Sequence, residues 1–272
     1  SVSLNSVQLG NISDILNNKS ISFDGTANGN LSFFRLFKNP YVTGGLDIHE
    51  TELNEAPLGD LELKAGWDKE DKSVMFGANL FSVHDRARSD IWGGVYLGND
   101  SLFIAGDLHD VDLRFLRKYI GSILENNTGT ASGQVRAYGK FGRIGLEGNP
   151  VVKDMAFDIG YLNTSYVLSD TVFMTPTSFR LNQSPVFDSE GNFALASGLV
   201  LHQGFRNFKF AVDLNTDKIL ALNTKEQDNE TFYGKAYGKG KVKISGNQKE
   251  VNFKLRLSTM PNTKISIPMD NV

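Results

Sequence analysis

Polar and apolar positions alternate one by one along this chain, in short stretches that turn residues interrupt. Phe208, Phe210, Val212 and Leu214 alternate with Lys209, Ala211 and Asp213, and Val251, Phe253, Leu255 and Leu257 alternate with Asn252, Lys254 and Arg256. A period of two places every apolar side chain of a strand on one side of a sheet. Repeated along most of the chain, it predicts an all-β protein whose sheet has an apolar face and a wet face.

The first region, to about Asp110, reads as successive strands: Ser20–Phe23, Leu31–Phe37, Leu61–Trp67, Val74–Leu80, Ile91–Leu97 and Leu102–Leu108. Gly98-Asn99-Asp100 supplies the hairpin turn between the last two. The period then changes. Leu113, Leu116, Ile120, Ile123 and Leu124 recur at helical spacing, with Asp110 or Asp112 able to cap the start and Asn126, Asn127 and Gly129 closing the end. From Thr130 the strands resume, from Ala131–Lys140 to Ile265–Ile267, with turns such as Gly148-Asn149-Pro150 and Gly246-Asn247 between them. The reading therefore divides the chain into a β segment over 1–111, one short amphipathic helix over 112–126, and a second β segment over 127–272. By itself, the turn spacing suits a sandwich, a barrel or a sheet that keeps extending.

Composition narrows the function. With 27 glycines against 7 prolines the chain suits many turns and little helix. A net charge of −3 leaves no basic footprint for nucleic acid, and Lys235, Lys239, Lys241 and Lys243 read as a solvated strand face. There are no cysteines, which removes disulfides and thiolate metal sites. No stretch approaches the ~18 apolar residues of a membrane-spanning helix. Opening in mid-pattern at Ser1, the sequence reads as a piece of a longer protein.

No catalytic constellation emerges. His49, His84, His109 and His202 lack metal-ligand spacing, and Gly238-Lys239-Gly240 lacks the rest of a phosphate loop. Glu52 with Glu55, Asp107 with Asp110, and Asp110 with Asp112 are the closest acid pairs, and all sit at turns or a helix start. The expectation is a protein that is not an enzyme, with no metal and no cofactor. Asn-x-Ser/Thr triplets at Asn11, Asn18, Asn30, Asn126, Asn163 and Asn229 read as turn composition.

A run of short blocks carries a family resemblance. After Asp112-Leu113-Arg114-Phe115-Leu116 come Gly129-Thr130-Ala131-Ser132-Gly133, Gly160-Tyr161-Leu162-Asn163-Thr164-Ser165-Tyr166 and Asp188-Ser189-Glu190-Gly191-Asn192. Gly198-Leu199-Val200-Leu201-His202, Leu220-Ala221-Leu222-Asn223-Thr224, Phe232-Tyr233-Gly234-Lys235-Ala236-Tyr237 and Asn262-Thr263-Lys264-Ile265-Ser266-Ile267-Pro268 follow in order. In this order and spacing, the segment from Asp112 to Asp270 resembles the Bacteroidota-type TamB family, the inner-membrane subunits of the translocation and assembly module. That family belongs to the AsmA-like, bridge-like lipid carriers. The first 110 residues match only as generic strands.

The resemblance implies a long, strongly curved antiparallel-type sheet, an elongated half-pipe with an apolar interior. It implies a periplasmic segment of an inner-membrane-anchored protein, with phospholipid as cargo between the inner and outer membranes. It also implies a TamA- or BamA-like outer-membrane barrel as partner, and a role in outer-membrane protein assembly and secretion. Any membrane contact would run through parts outside this segment.

The residues point the same way. An apolar sheet face needs a cover, and acyl chains would supply one, each buried CH₂ gaining ~0.8 kcal/mol. The expected groove lining is Phe157, Ile159, Phe193, Leu195, Leu199, Leu201, Phe208, Phe210, Val212, Leu214, Val251, Phe253, Leu255 and Leu257, with Leu116, Ile120 and Ile123 of the helix as a plug. The alternative is a non-enzymatic extracellular β-sandwich that binds glycan or protein, with Trp67, Trp92, Tyr138 and Tyr233 as a sugar platform. A β-solenoid carbohydrate enzyme is disfavoured by the missing acid cluster.

Overall fold

In a computed structural model of the chain, the alternating stretches pair as one antiparallel sheet of 18 strands. The structure describes all residues except 11–21, 35–40, 122–123, 142, 205–206, 229–230, 248 and 269–272. The strands are β1 (Val2–Gln8), β2 (Phe23–Phe34), β3 (Tyr41–Leu53), β4 (Ala56–Asp68), β5 (Ser73–Ser82), β6 (Arg88–Tyr96), β7 (Ser101–Asp112), β8 (Thr130–Lys140) and β9 (Arg143–Gly148). They continue as β10 (Val151–Ile159), β11 (Thr164–Thr171), β12 (Phe173–Thr175), β13 (Ser178–Asp188), β14 (Phe193–Leu201), β15 (Lys209–Thr224), β16 (Tyr233–Asn247), β17 (Val251–Thr259) and β18 (Lys264–Ser266).

The expected helix is much shorter than 112–126. A 3₁₀ turn over Arg114–Leu116 leads into one α-helical turn, α1 (Arg117–Ile120). Asp112 ends β7 instead of lying inside the helix, and its Oδ1 accepts the Arg114 N–H at 2.7 Å, which is its capping role. Leu116 and Ile120 are half-buried, and Ile123 lies outside the described residues.

Between the expected strands Ser20–Phe23 and Leu31–Phe37, the Asn/Gly stretch within 24–30 is not a turn. It is the first half of β2, a single strand of 12 residues. Glycine is demanded on the neighbouring β3 and β4. A Cβ on Gly44 (φ +143°) would lie 2.0 Å from the Asn30 carbonyl oxygen. On Gly59 (φ +125°) it would lie 1.8 Å from the Phe81 carbonyl oxygen. Both are backbone conformations that a side chain forbids, so these glycines shape strands as well as turns.

The chain packs as two compact units. One comprises Ser1–Phe115, Thr130–Pro150 and Met174–Thr177; the other comprises Leu116–Gly129, Val151–Phe173 and Ser178–Val272. The chain thus leaves the first unit after Phe115 and returns to it at Thr130. The cause is pairing: β8 ladders along β7 from Ser101↔Lys140 to Asp112↔Thr130, and β9 pairs back on β8. In the first unit, Leu9, Ala27, Leu46 and Ile48 form one buried cluster and Leu58, Leu80 and Val111 a second.

One backbone device recurs in both units. Ser6, Glu50 and Asp110 in the first, and Asp154 and Gln183 in the second, each sit at a register shift with φ between 48° and 52°. A bulge of this kind leaves its own N–H out of the ladder and bends the strand. Here a side chain from the partner strand accepts that N–H: Asn28 for Ser6 at 2.8 Å, Asp60 for Glu50 at 3.3 Å, and Ser132 for Asp110 at 2.9 Å. Ser169 does so for Asp154 at 2.8 Å and Ser197 for Gln183 at 3.2 Å. Each bend is therefore satisfied locally rather than left as strain.

Where β7 ends, a buried carboxylate ties three segments together. Asp112 is 1% exposed; its Oδ2 accepts the Arg114 guanidinium at 2.7 Å and meets His84 Nε2 at 2.9 Å. Burial opposes ionisation, but the hydrogen bonds from the Arg114 side chain and backbone, the Arg114 charge and His84 outweigh it and hold the carboxyl below its ordinary value. A carboxyl depressed in the folded state contributes stability that is complete above about pH 4 and is lost as pH falls through the depressed value. Asp112→Ala should lower stability by about 2–3 kcal/mol at pH 7, and urea melts should show that deficit shrinking as the pH drops below about 4.

Candidate functional site

In an antiparallel ladder, directly paired residues project to the same side of the sheet. Following the register across the first unit gives rows of uniform character. One row runs Gly29, Leu46, Leu63, Ala78, Ile91, Gly106, Val135 and Gly148 across β2–β9. A second row on the same face runs Leu31, Gly44, Ala65, Phe76, Gly93, Ile104, Ala137 and Leu146. On the opposite face, the row flanking the first is Asn28, Asp47, Glu62, Asn79, Asp90, Asp107 and Gln134, and the row between the two apolar ones is Asn30, Gly45, Lys64, Gly77, Trp92, Ala105, Arg136 and Glu147. The two apolar rows hold only apolar side chains or glycine, and the opposite face is mainly polar, with Trp92 and Ala105 among its apolar exceptions.

The apolar side is not closed over. Leu63, Phe76, Ile91, Ile104, Val135, Ala137 and Leu146 are only half-buried. A recess of about 190 Å³ opens among Ile91, Ile104, Gly106, Leu108, Val135, Ala137 and Leu146, lined by no polar side chain. None of these residues is among the expected lining; Ile91–Leu97, Leu102–Leu108 and Ala131–Lys140 are expected strands, whereas the strand that carries Leu146 is not. The usable signal was the alternation in Ile91–Leu97 and Leu102–Leu108.

The second unit has its own apolar side. Met155, Leu168, Val186, Ala194, Thr216, Gly240 and Leu257 form one row. Next to it run Ser184, Ala196, Leu214, Val242 and Leu255, and then Leu181, Gly198, Val212, Ile244 and Phe253. Phe210 and Val251 continue the same face. Phe157 and Ile159 lie on it with Met155, and the Phe157 ring meets that of Tyr166 at 6.0 Å. Among the expected lining residues, then, Phe157, Ile159, Phe210, Val212, Leu214, Val251, Phe253, Leu255 and Leu257 share one face.

Phe193, Leu195, Leu199 and Leu201 do not join them. Gly198 pairs with Val212 and Ala196 with Leu214, so it is the small residues of β14 that point to the apolar side. Leu195 sits instead in a row with Asn215, Lys241 and Arg256, on the wet face. The stretch Phe193–Leu201 is apolar in both phases, so its period cannot say which phase faces inward, and large side chains are the wrong guide there. The inward row of β14 is small because its neighbours cover it: Ala194, Ala196 and Gly198 are all buried. Phe208 precedes β15, with its ring 5.9 Å from that of His202 and 6.2 Å from that of Tyr119. His202 also stacks on Phe179 at 4.8 Å, and burial pushes its imidazole below the usual histidine range, so the ring acts as neutral packing surface.

The aromatic platform expected for a glycan reading does not assemble. Trp67 pairs with Val74 on the apolar face, whereas Trp92 pairs with Gly77 on the polar one. Tyr138 shares the face of Trp92, opposite to that of Trp67. No helix among the described residues is long and apolar enough to cross a membrane, and no described group of three or more His, Asp or Glu stands where it could hold a metal.

Filling the recess provides a stability test of its geometry. Ala137→Leu should raise the urea midpoint by the equivalent of up to about 1 kcal/mol, while Ala137→Asp should lower it, because the carboxylate would enter a recess without a polar partner. Comparison with protein-family models, with curated proteins and with solved structures returned no match to this chain.

Proposed function

We propose that this chain is a non-catalytic, phospholipid-carrying segment, in which acyl chains lie along the apolar sheet faces. The observation that carries this reading is the unbroken apolar row from Leu31 to Leu146 across the first unit, half-buried and next to an apolar recess. A large apolar side chain left in water forfeits ~1.5–3 kcal/mol, so a face of this extent is stable when hydrocarbon covers it. An enclosed apolar cavity of ~150 Å³ already binds benzene, and the recess of about 190 Å³ is of similar scale to that reference, though open.

Transfer energetics favour conduction over storage. A methylene gains ~0.8 kcal/mol on leaving water, whether it enters a bilayer or an apolar groove. Exchange between the two is therefore near balance, and lipid is not trapped. The absence of polar side chains from the recess suits a surface that selects hydrocarbon and not a headgroup. In this reading the chain is the periplasmic part of an inner-membrane-anchored carrier that passes phospholipid toward a TamA- or BamA-like outer-membrane barrel, and serves outer-membrane protein assembly through that traffic.

The test exploits the chain's lack of cysteine. A photo-crosslinker attached at Val212→Cys, on the apolar face, should capture phospholipid from cells, with the adduct read by mass spectrometry. At Leu199→Cys, on the wet face of the neighbouring strand, it should capture little. Phe210→Arg should abolish lipid transfer between vesicles and Leu199→Arg should leave it within twofold. Equal capture at both positions, together with undiminished transfer by Phe210→Arg, would sink the proposal.

A further inference from the structure

The chain is acidic overall, yet the register of its last long strands builds a cationic block. Lys243 lies directly opposite Lys254, and Lys241 directly opposite Arg256, with Lys239 beside them on the same face. Like charges placed directly across a ladder destabilise it. Two of the five have acid partners: Lys243 with Asp213 at 3.5 Å and Lys239 with Asp217 at 2.9 Å. Lys241, Lys254 and Arg256 carry no ion pair among the described residues, and all are exposed. Asp213 answers Lys243, but Lys241, Lys254 and Arg256 are left to solvent or to an external anion, in a protein whose net charge is −3.

The other side of the same strand identifies the anion's setting. Phe253 is 50% exposed and Leu255 62%, and both project from β17 opposite to Lys254 and Arg256. Strand β17 is thus one strand thick, apolar on one side and cationic on the other, and open to solvent on both. That is the pattern of an element that lies in a membrane interface: apolar side chains enter the acyl boundary, and Lys and Arg stems reach back to the phosphates. A soluble polyanion would use the cations and leave Phe253 and Leu255 in water. An acidic partner strand from a second copy is the remaining occupant, since the polar face of the first unit carries Asp47 opposite Glu62 and Asp90 opposite Asp107.

We infer that β17, with the basic face of β16, is a binding element for anionic phospholipid surfaces. The inference shares the apolar face of β17 with the lipid-carrying reading but does not require conduction: a protein could dock here and carry nothing. Flotation of the whole chain with vesicles of phosphatidylglycerol and phosphatidylcholine should show binding that vesicles of phosphatidylcholine alone do not support. Each cation near such a surface strengthens binding by about fivefold, so K241Q/K254Q/R256Q should weaken it by about 100-fold. The same triple variant should melt at a higher temperature than the parent, because it removes both repulsive pairs. That opposition of gained stability and lost binding separates the proposal from a folding defect.

Leu255→Ser should also weaken vesicle binding, by about tenfold or more, while leaving the melting temperature nearly unchanged. Equal binding to neutral vesicles would overturn the role of charge. Capture of inorganic polyphosphate as tight as vesicle binding, indifferent to Leu255→Ser, would overturn the membrane and leave a polyanion site. Sedimentation showing self-association that the triple variant abolishes, with no vesicle binding, would assign the block to a second copy instead. Extraction of lipid from the vesicles is a separate readout that bears only on conduction.

Discussion

Everything in this protein depends on the separation of apolar from polar residues across a single sheet, kept in phase from strand to strand by the hydrogen-bond ladder. The row from Gly29 to Gly148 holds only apolar side chains or glycine over β2–β9, and the row from Asn28 to Gln134 beside it holds only polar ones. A slip of one residue anywhere would exchange the faces beyond it. The bulges at Ser6, Glu50, Asp110, Asp154 and Gln183 insert an extra residue, yet the phase survives because the extra N–H is taken up by a partner-strand side chain and the following residues resume the same alternation. Register is thus protected at the points where it is most exposed to error.

This arrangement leaves a problem that ordinary domains do not have. A one-faced sheet usually buries its apolar side against a second layer. Here buried residues gather in small clusters, such as Leu9, Ala27, Leu46 and Ile48, while most of each apolar row stays half-buried. The helix offers little cover: it is two short turns, tethered at its start by Asp112 and Arg114. The lipid proposal answers that problem with hydrocarbon from outside the chain. The interfacial role of β17 answers a different one, the repulsive pairs on the wet side, with anions from outside the chain. Both follow from groups that the protein leaves incompletely satisfied by its own residues.

The residues differ in how legible they were. Val212, Leu214, Phe253 and Leu255 could be placed on one face from sequence because their strands have polar residues in the alternate phase. Phe193–Leu201 could not, since both phases are apolar and only pairing with β15 shows that Ala196 and Gly198 face inward. Lys241 and Lys243 read as a solvated face, and their meeting with Arg256 and Lys254 is a fact of register, invisible to composition. The helix was overestimated because Leu113, Leu116 and Ile120 repeat at helical spacing, while Asp112 and Thr130 are claimed by the β7–β8 ladder. The Asn/Gly run of 24–30 carries a turn composition, yet pairing with β3 makes it strand.

By itself, then, the sequence determined the class of structure. An alternation with period two, many glycines and only one stretch of helical spacing leave an all-β protein with an apolar and a wet strand face, because side-chain direction in a strand is set by local backbone geometry. What tertiary structure decided was which strands meet, where the chain departs from one unit and returns, which phase of an ambiguous strand points inward, and which charges oppose one another. Those are properties of pairing between segments distant along the chain, and no local pattern encodes them.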